Sequence, residues 1–199
     1  MDFVILAGGQ GNRFVDEGFD LPKPLIPVMG EPMIGRLVSV LMECGAESIH
    51  VGANARMDQL IEYLGNLQKH GLPIKIHPIV TDNSYSTLQL ASEDLTGRFI
   101  ALTCDAIFPK DEFARYVRKV ESSPSGVALM GLTRFVEDGS PLYAKVSGSG
   151  EIVDYRYGGK PFVEDLIVSA GIYGLSGEIM DAVSEFPREP QSLNDFQRE

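Results

Sequence analysis

Three glycines and two cations stand close together near the start of this 199-residue chain. Gly8, Gly9 and Gly11 follow the apolar run Asp2 to Ala7, Arg13 closes the turn, and Lys23 stands ten positions later between Pro22 and Pro24. Glycine lets a backbone turn tightly and converge its N–H groups on one point, the geometry with which proteins cradle phosphate. Two neighbouring cations would neutralise a polyphosphate. The chemistry written in these residues is the holding of a nucleoside triphosphate.

Charge and composition bound that reading. A formal net charge of −11 argues against nucleic acid or an anionic membrane as partner. A nucleotide is itself anionic, so the pocket must be locally positive, and Arg13, Lys23, Lys145 and Lys160 are the candidates. A positive focus coexists with an acidic surface because the Debye length in cells is about 8 Å. No apolar run approaches the roughly 18 residues of a membrane span. Asp2 occupies the place where a signal peptide carries basic residues, which predicts a cytoplasmic protein. Cys44 and Cys104 lack metal-ligand spacing and read as buried free thiols. His50, His70 and His77 share no ligand spacing and read as structural.

The elements that must position these residues follow from periodicity. Asp2 to Ala7 reads as a buried strand. Pro32 stands early in a helix whose apolar face is Met33, Leu37, Val40, Leu41 and Cys44, stopped by Gly45. Ser48 to Ala53 reads as a strand, Met57 to Lys69 as a helix, Pro73 to Ile79 as a strand, and Ser86 starts a short helix. Arg98 to Cys104 is a strand ending at Asp105, and Pro109 opens a helix running to about Val120. This alternation predicts a mostly parallel α/β sheet with right-handed crossovers. The last third is β-rich: Gly126 to Thr133, Leu142 to Ser147, Glu151 to Tyr157 and Ile167 to Ser176 read as strands, then a helix spans Glu178 to Ser184. The chain reads as one domain over 1–199, with an acceptor pocket where its two halves meet. The unfinished polar tail predicts that the native chain continues past Glu199.

Two common phosphate loops are excluded on named residues. A P-loop closes with Gly-Lys-Ser/Thr, a triplet absent here. A dinucleotide fingerprint needs glycine where Phe14 stands, and an acidic residue ending the second strand where Gly52, Ala53 and Asn54 occur. What remains is Leu6-Ala7-Gly8-Gly9-Gln10-Gly11-Asn12-Arg13, followed by Pro22-Lys23-Pro24 and Gly30-Glu31-Pro32-Met33-Ile34. This pair of motifs resembles the signature of the nucleotidyltransferases that make activated sugars and phospho-alcohols. Thr103 to Phe108, Gly158 to Phe162 and the "SAGIYGLS" stretch resemble later segments of that family. Thr81 to Ala91 is closest to the corresponding segment of the choline-phosphate cytidylyltransferases. The resemblance runs from Met1 to about Ala182.

The resemblance implies a Rossmann-like three-layer α/β fold with a mixed, mostly parallel central sheet. It implies transfer from an NTP to a sugar phosphate or phospho-alcohol, with release of pyrophosphate, and CTP is the favoured nucleotide. By it, Leu6, Ala7, Gly8, Gly9, Gly11 and Asn12 bind the nucleotide, Arg13 stabilises the leaving pyrophosphate and Lys23 the α-phosphate. Asp105 ligates Mg2+, and Asn83 and Ser84 meet the base. Tyr143, Lys160, Glu164 and Gly171 line the site of the phosphorylated acceptor. A homo-oligomer is compatible with the sequence.

Plainer readings stand beside these. Asp105 caps the helix that Pro109 starts, Asn83 and Ser84 make a turn, Lys160 is a hairpin lysine, and Glu164 is a solvated loop charge. Asn12 replaces the family's usual Ser or Thr, and no segment matches its second metal-binding aspartate. Those departures leave open a degenerate nucleotide-binding or regulatory domain. A glycosyltransferase is the third reading, weakened because Asp105-Ala106-Ile107 lacks Asp-x-Asp.

Overall fold

The computed structural model describes residues 1–9, 21–81, 83–136, 141–158 and 166–185. β1 (Asp2–Ala7) is central: β4 (Ser48–Asn54) pairs with it in parallel on one edge and β6 (Arg98–Thr103) in parallel on the other. β5 (Ile74–Ile79) extends the parallel part beyond β4. On the far side β10 (Val168–Ser176) lies antiparallel to β6 and takes β7 (Leu129–Thr133) and β8 (Leu142–Val146) as antiparallel neighbours. β9 (Ile152–Tyr157) pairs antiparallel with β8. In the path β5-β4-β1-β6-β10-β8-β9 the stretch β5 to β6 is the parallel sheet that the alternation of elements predicts, and the antiparallel strands of the β-rich last third make the whole sheet mixed.

Period two along the strands builds three layers. Phe3, Ile5 and Ala7 of β1 face one core with Ile34, Leu37, Val38 and Leu41 of α1 (Met33–Glu43), Leu60 and Leu64 of α2 (Asp58–Lys69), and Phe113, Val117 and Val120 of α4 (Lys110–Ser122). Val4 and Leu6 face a second core with Tyr85, Leu88 and Ala91 of α3 (Ser84–Ala91) and Val183 of α5 (Gly177–Ser184). Burying apolar residues on both faces is what a parallel sheet covered by helices demands. Each fully buried side chain of this kind contributes about 1.5–3 kcal/mol.

Several local expectations shift. The buried face of α1 is Ile34, Leu37, Val38 and Leu41, so Met33, Val40 and Cys44 lie at its half-buried margin. α3 starts earlier than expected: Asn83, not Ser86, caps it, with Asn83 Oδ1 accepting from the Ser86 N–H at 2.8 Å. Between Lys23 and α1 the chain forms a small antiparallel hairpin, β2 (Pro27–Val28) and β3 (Glu31–Pro32), which the sequence did not suggest. Its two-residue loop, Met29 and Gly30, has positive φ at both positions, as a type I′ turn requires.

His50 and His77 do play a structural part, as a pair. Their rings stack across β4 and β5 with centroids 5.1 Å apart, and His50 Nδ1 lies 3.1 Å from His77 Nε2. Burial, then the Lys75 charge, pushes His50 below the ordinary imidazole value; burial does the same to His77, opposed by Asp94 and Glu93. A histidine with a lowered folded pKa binds more protons when unfolded. Its stabilisation is therefore full above about pH 6.5 and is lost as pH falls through the folded value. Urea titrations of the wild type should show the midpoint dropping between pH 7 and pH 5, with a shallower drop in His77→Gln.

Candidate active site at the carboxyl edge of β1 and β6

After β1 the chain visits β4 and β5 on one side before crossing to β6 on the other. That reversal places a crevice at the carboxyl ends of β1 and β6, the place where open α/β sheets bind ligands. Leu6 and Ala7 end β1 in the core, at 7% and 2% exposure, and Gly8 and Gly9 leave it. On the neighbouring strand β6 ends in Thr103, followed by Cys104 and Asp105. The Cys104 N–H still bonds to the Leu6 carbonyl at 3.3 Å, so the two strand ends are locked together beneath the crevice.

Lys23 arrives from a rigid segment. Pro22 and Pro24 stiffen it, a 3-10 turn spans Lys23–Leu25, and the Leu25 N–H bonds to the Pro22 carbonyl at 2.8 Å. Leu25 packs on the core and the β2–β3 hairpin leads straight into α1. From there Lys23 Nζ donates to Asp105 Oδ2, an ion pair between residues 82 positions apart. α4 is preceded by Pro109 with no side-chain cap, so Asp105 does not cap that helix.

Burial pushes the Asp105 carboxyl up. The hydrogen bond and charge of Lys23, with a hydrogen bond from the Thr103 side chain, outweigh it and hold the group below the usual carboxylate range. The Asp105 side chain is 41% exposed, so it is both ionised and reachable. Among the described residues no group of three or more His, Cys, Asp or Glu side chains gathers around a metal position. A hard cation such as Mg2+ needs only one or two carboxylates and completes its shell with water and phosphate oxygens. Asp105 fits such an ion as a single ligand. Beside it, burial drives the Cys104 thiol up to about 12, so this cysteine stays protonated at neutral pH. Cys104 is the buried free thiol expected; Cys44 is only half-buried.

On its other side the glycine turn is met by α3. Thr87 lies beneath Gly8: a Cβ on Gly8 would stand 2.7 Å from Thr87 Oγ1. Thr87 Oγ1 in turn lies 2.6 Å from Thr81 Oγ1 and donates to the Asn83 carbonyl at 3.2 Å. The start of α3, Asn83 and Ser84, is thereby brought beside the glycine turn. Asn83 Oδ1 is committed to capping α3, where the plainer expectation is a simple turn. Neither Thr87 nor Asn54, whose amide Nδ2 donates to the Gly8 carbonyl at 3.1 Å, is singled out by the sequence. The only signals for them are a threonine four places after Asn83 and an amide where a dinucleotide site carries an acid.

Gly171 reaches the same place from β10. It has φ +70°, and a Cβ there would stand 2.5 Å from Thr103 Oγ1. Tyr143 is buried on β8, paired opposite Val168, two strands from β6. The structure thus gathers Gly8, Gly9, Asn83, Lys23, Asp105 and Gly171, and leaves Tyr143 further out. Gly11, Asn12, Arg13, Lys160 and Glu164 lie outside the described residues.

Residues 3–167 match the profile of the MobA-like NTP transferase domain. The chain belongs to that family. The bifunctional protein GlmU of Methanococcus vannielii is 28% identical over 122 residues, covering 60% of this chain and 28% of that protein. This NTP transferase domain spans less than half the length of the curated relatives it matches. Its fold superposes with a TM-score of 0.85 on a protein assigned as a glucose-1-phosphate thymidylyltransferase from Bacillus anthracis, at 21% identity, covering 100% of this chain and 81% of that one. The inositol-1-phosphate CTP transferase of T. maritima gives a TM-score of 0.74 at 18% identity, covering 98% and 79% of the two chains. At these identities the superpositions show the shared fold.

Gly171→Ala combines left-handed backbone strain with the contact on Thr103 and should cost about 1–3 kcal/mol in denaturant unfolding. Adding Thr103→Ala removes the contact but not the strain, so the double variant should recover only part of the loss.

Proposed function

We propose that this domain joins an NTP to the phosphate of a small acceptor, a sugar phosphate or phospho-alcohol, with release of pyrophosphate. The observation that carries the reading is the Lys23–Asp105 pair beside the Gly8–Gly9 turn at the carboxyl edge of β1 and β6. Membership of the NTP transferase family supports it.

In the reaction an acceptor phosphate oxygen attacks the α-phosphorus, and the bond from that phosphorus to the bridging oxygen of the β-phosphate breaks. The nucleophile is already anionic, so no strong base is required. The task is to bring two anions together and stabilise charge that grows in the transition state. Backbone N–H groups of the glycine turn hold the phosphates. Lys23, fixed by its prolines, meets the α-phosphate, and Arg13 the leaving pyrophosphate. Asp105 and Thr103 form the wall on the opposite side. Asp105 would hold a Mg2+ ion, which would supply Lewis-acid stabilisation of the phosphate charge. Asn83 Nδ2 and Ser84 are assigned to the base, and the Thr81 to Ala91 segment favours CTP. Lys160, with Tyr143, Glu164 and Gly171, is assigned to the acceptor.

Incubating the protein with each NTP, Mg2+ and a panel of sugar phosphates and phospho-alcohols should release pyrophosphate for at least one pair, with CTP the most active nucleotide. No turnover together with no NTP binding would overturn the reading; tight NTP binding without turnover would point to a degenerate binding domain. Lys23→Ala should lower turnover about a hundredfold to a thousandfold, the scale of removing one electrostatic stabiliser. In Asp105→Asn the rise of activity with Mg2+ concentration should move to far higher concentrations, and chelation by EDTA should silence the wild type reversibly.

A further inference from the structure

Asn54 ends β4 as a buried amide, 6% exposed, facing a turn with which it shares no sequence motif. Nδ2 donates to the Gly8 carbonyl at 3.1 Å, and Oδ1 accepts from the Arg56 N–H at 3.0 Å. Its own main chain is fixed as well: the Asn54 carbonyl accepts from the Met57 N–H at 2.9 Å, and the next residue's N–H bonds to the Ile79 carbonyl at 2.9 Å. The amide is therefore a rigid donor with both ends used. A buried amide held this way serves the group it bonds.

That group is the first peptide of the glycine turn. The Leu6 carbonyl bonds to Cys104 on the β6 side, whereas the Gly8 carbonyl is taken by an amide from β4. The described peptides contain no cis bond, so the C=O of Gly8 and the N–H of Gly9 point in opposite directions. Capturing the carbonyl on the protein side thus turns the Gly9 N–H away from Asn54. Gly9 itself is exposed, so this N–H belongs to a surface residue and not to the core. Thr87 packs under Gly8 from the α3 side, where a Cβ on Gly8 would stand 2.7 Å from its Oγ1.

We infer that Asn54 is a positioning residue for nucleotide binding: it sets the Gly8–Gly9 peptide so that the Gly9 N–H donates to a phosphate of the NTP. The inference rests on the nucleotidyl-transfer reading, and the chemistry it adds is specific. Asn54 touches no substrate. It fixes in advance the direction of one backbone donor, a donor that a flexible glycine peptide would otherwise have to orient at the moment of binding.

The test separates the two levels. Calorimetric titration of the wild type with CTP, GTP, ATP and UTP in Mg2+ first asks whether any NTP binds; failure there overturns the proposed function itself. With the best nucleotide, Asn54→Leu and Asn54→Asp are compared. Leucine removes donor and acceptor at similar volume without adding charge, while aspartate keeps the acceptor for Arg56, loses the donor to Gly8 and adds a negative charge, so its binding is compared at low and high salt to separate the two effects. Both should weaken NTP binding about tenfold to hundredfold, the scale of one hydrogen bond to a charged group. KM for the NTP should rise with it, while KM for the acceptor phosphate stays near wild type. Normal NTP affinity in Asn54→Asp overturns the inference, and so does a loss of affinity that only tracks a lowered urea midpoint in both variants.

Discussion

β1 has neighbours on every side: β4 and β6 hydrogen-bond to its edges, and helices cover both of its faces. A strand so enclosed can expose nothing along its length. Polar or conformationally special residues must lie where it ends, and Gly8 and Gly9 do. The same enclosure makes β4 and β6 end level with it, since Ala7 pairs with Ala53 and Leu6 with Thr103. Asn54 and Asp105 therefore flank the glycine turn from opposite strands as a result of sheet register.

Charge follows from that placement. An acidic chain concentrates one cation, Lys23, against one carboxylate, Asp105, on a segment that its prolines and hairpin keep from moving. Burial pushes the Asp105 carboxyl up, and the pairing with Lys23 outweighs it and holds the group below the usual carboxylate range. An ionised carboxylate and an ammonium side by side suit a ligand that brings both a hard cation and phosphate oxygens, because each protein group then has a partner of opposite sign.

The layers were legible because β1 and β6 are unbroken apolar runs, as strands covered on both faces must be, and each helix carries an apolar stripe. The β2–β3 hairpin was hidden because Met29-Gly30 is not a favoured type I′ pair and prolines on both arms suppress a strand reading. The start of α3 was misplaced because Ser86 and Asn83 are both good caps; packing of Tyr85 and Leu88 into the second core decided for Asn83. At the site, residue types at the turn, Lys23 and Asp105 were readable from the motifs. Their pairing, and the parts played by Asn54, Thr87 and Thr103, depend on contacts across strands and between distant segments that no local spacing encodes.

Cys104 sits in the seam that locks β6 to β1, with its N–H bonded to Leu6 and its thiol held protonated. An alkylating dye reacts with thiolate, so this sulfur is silent while the seam is closed. Its labelling rate is then a built-in clock for the breathing of this carboxyl edge, one that needs no engineered probe and reports the strand ends themselves.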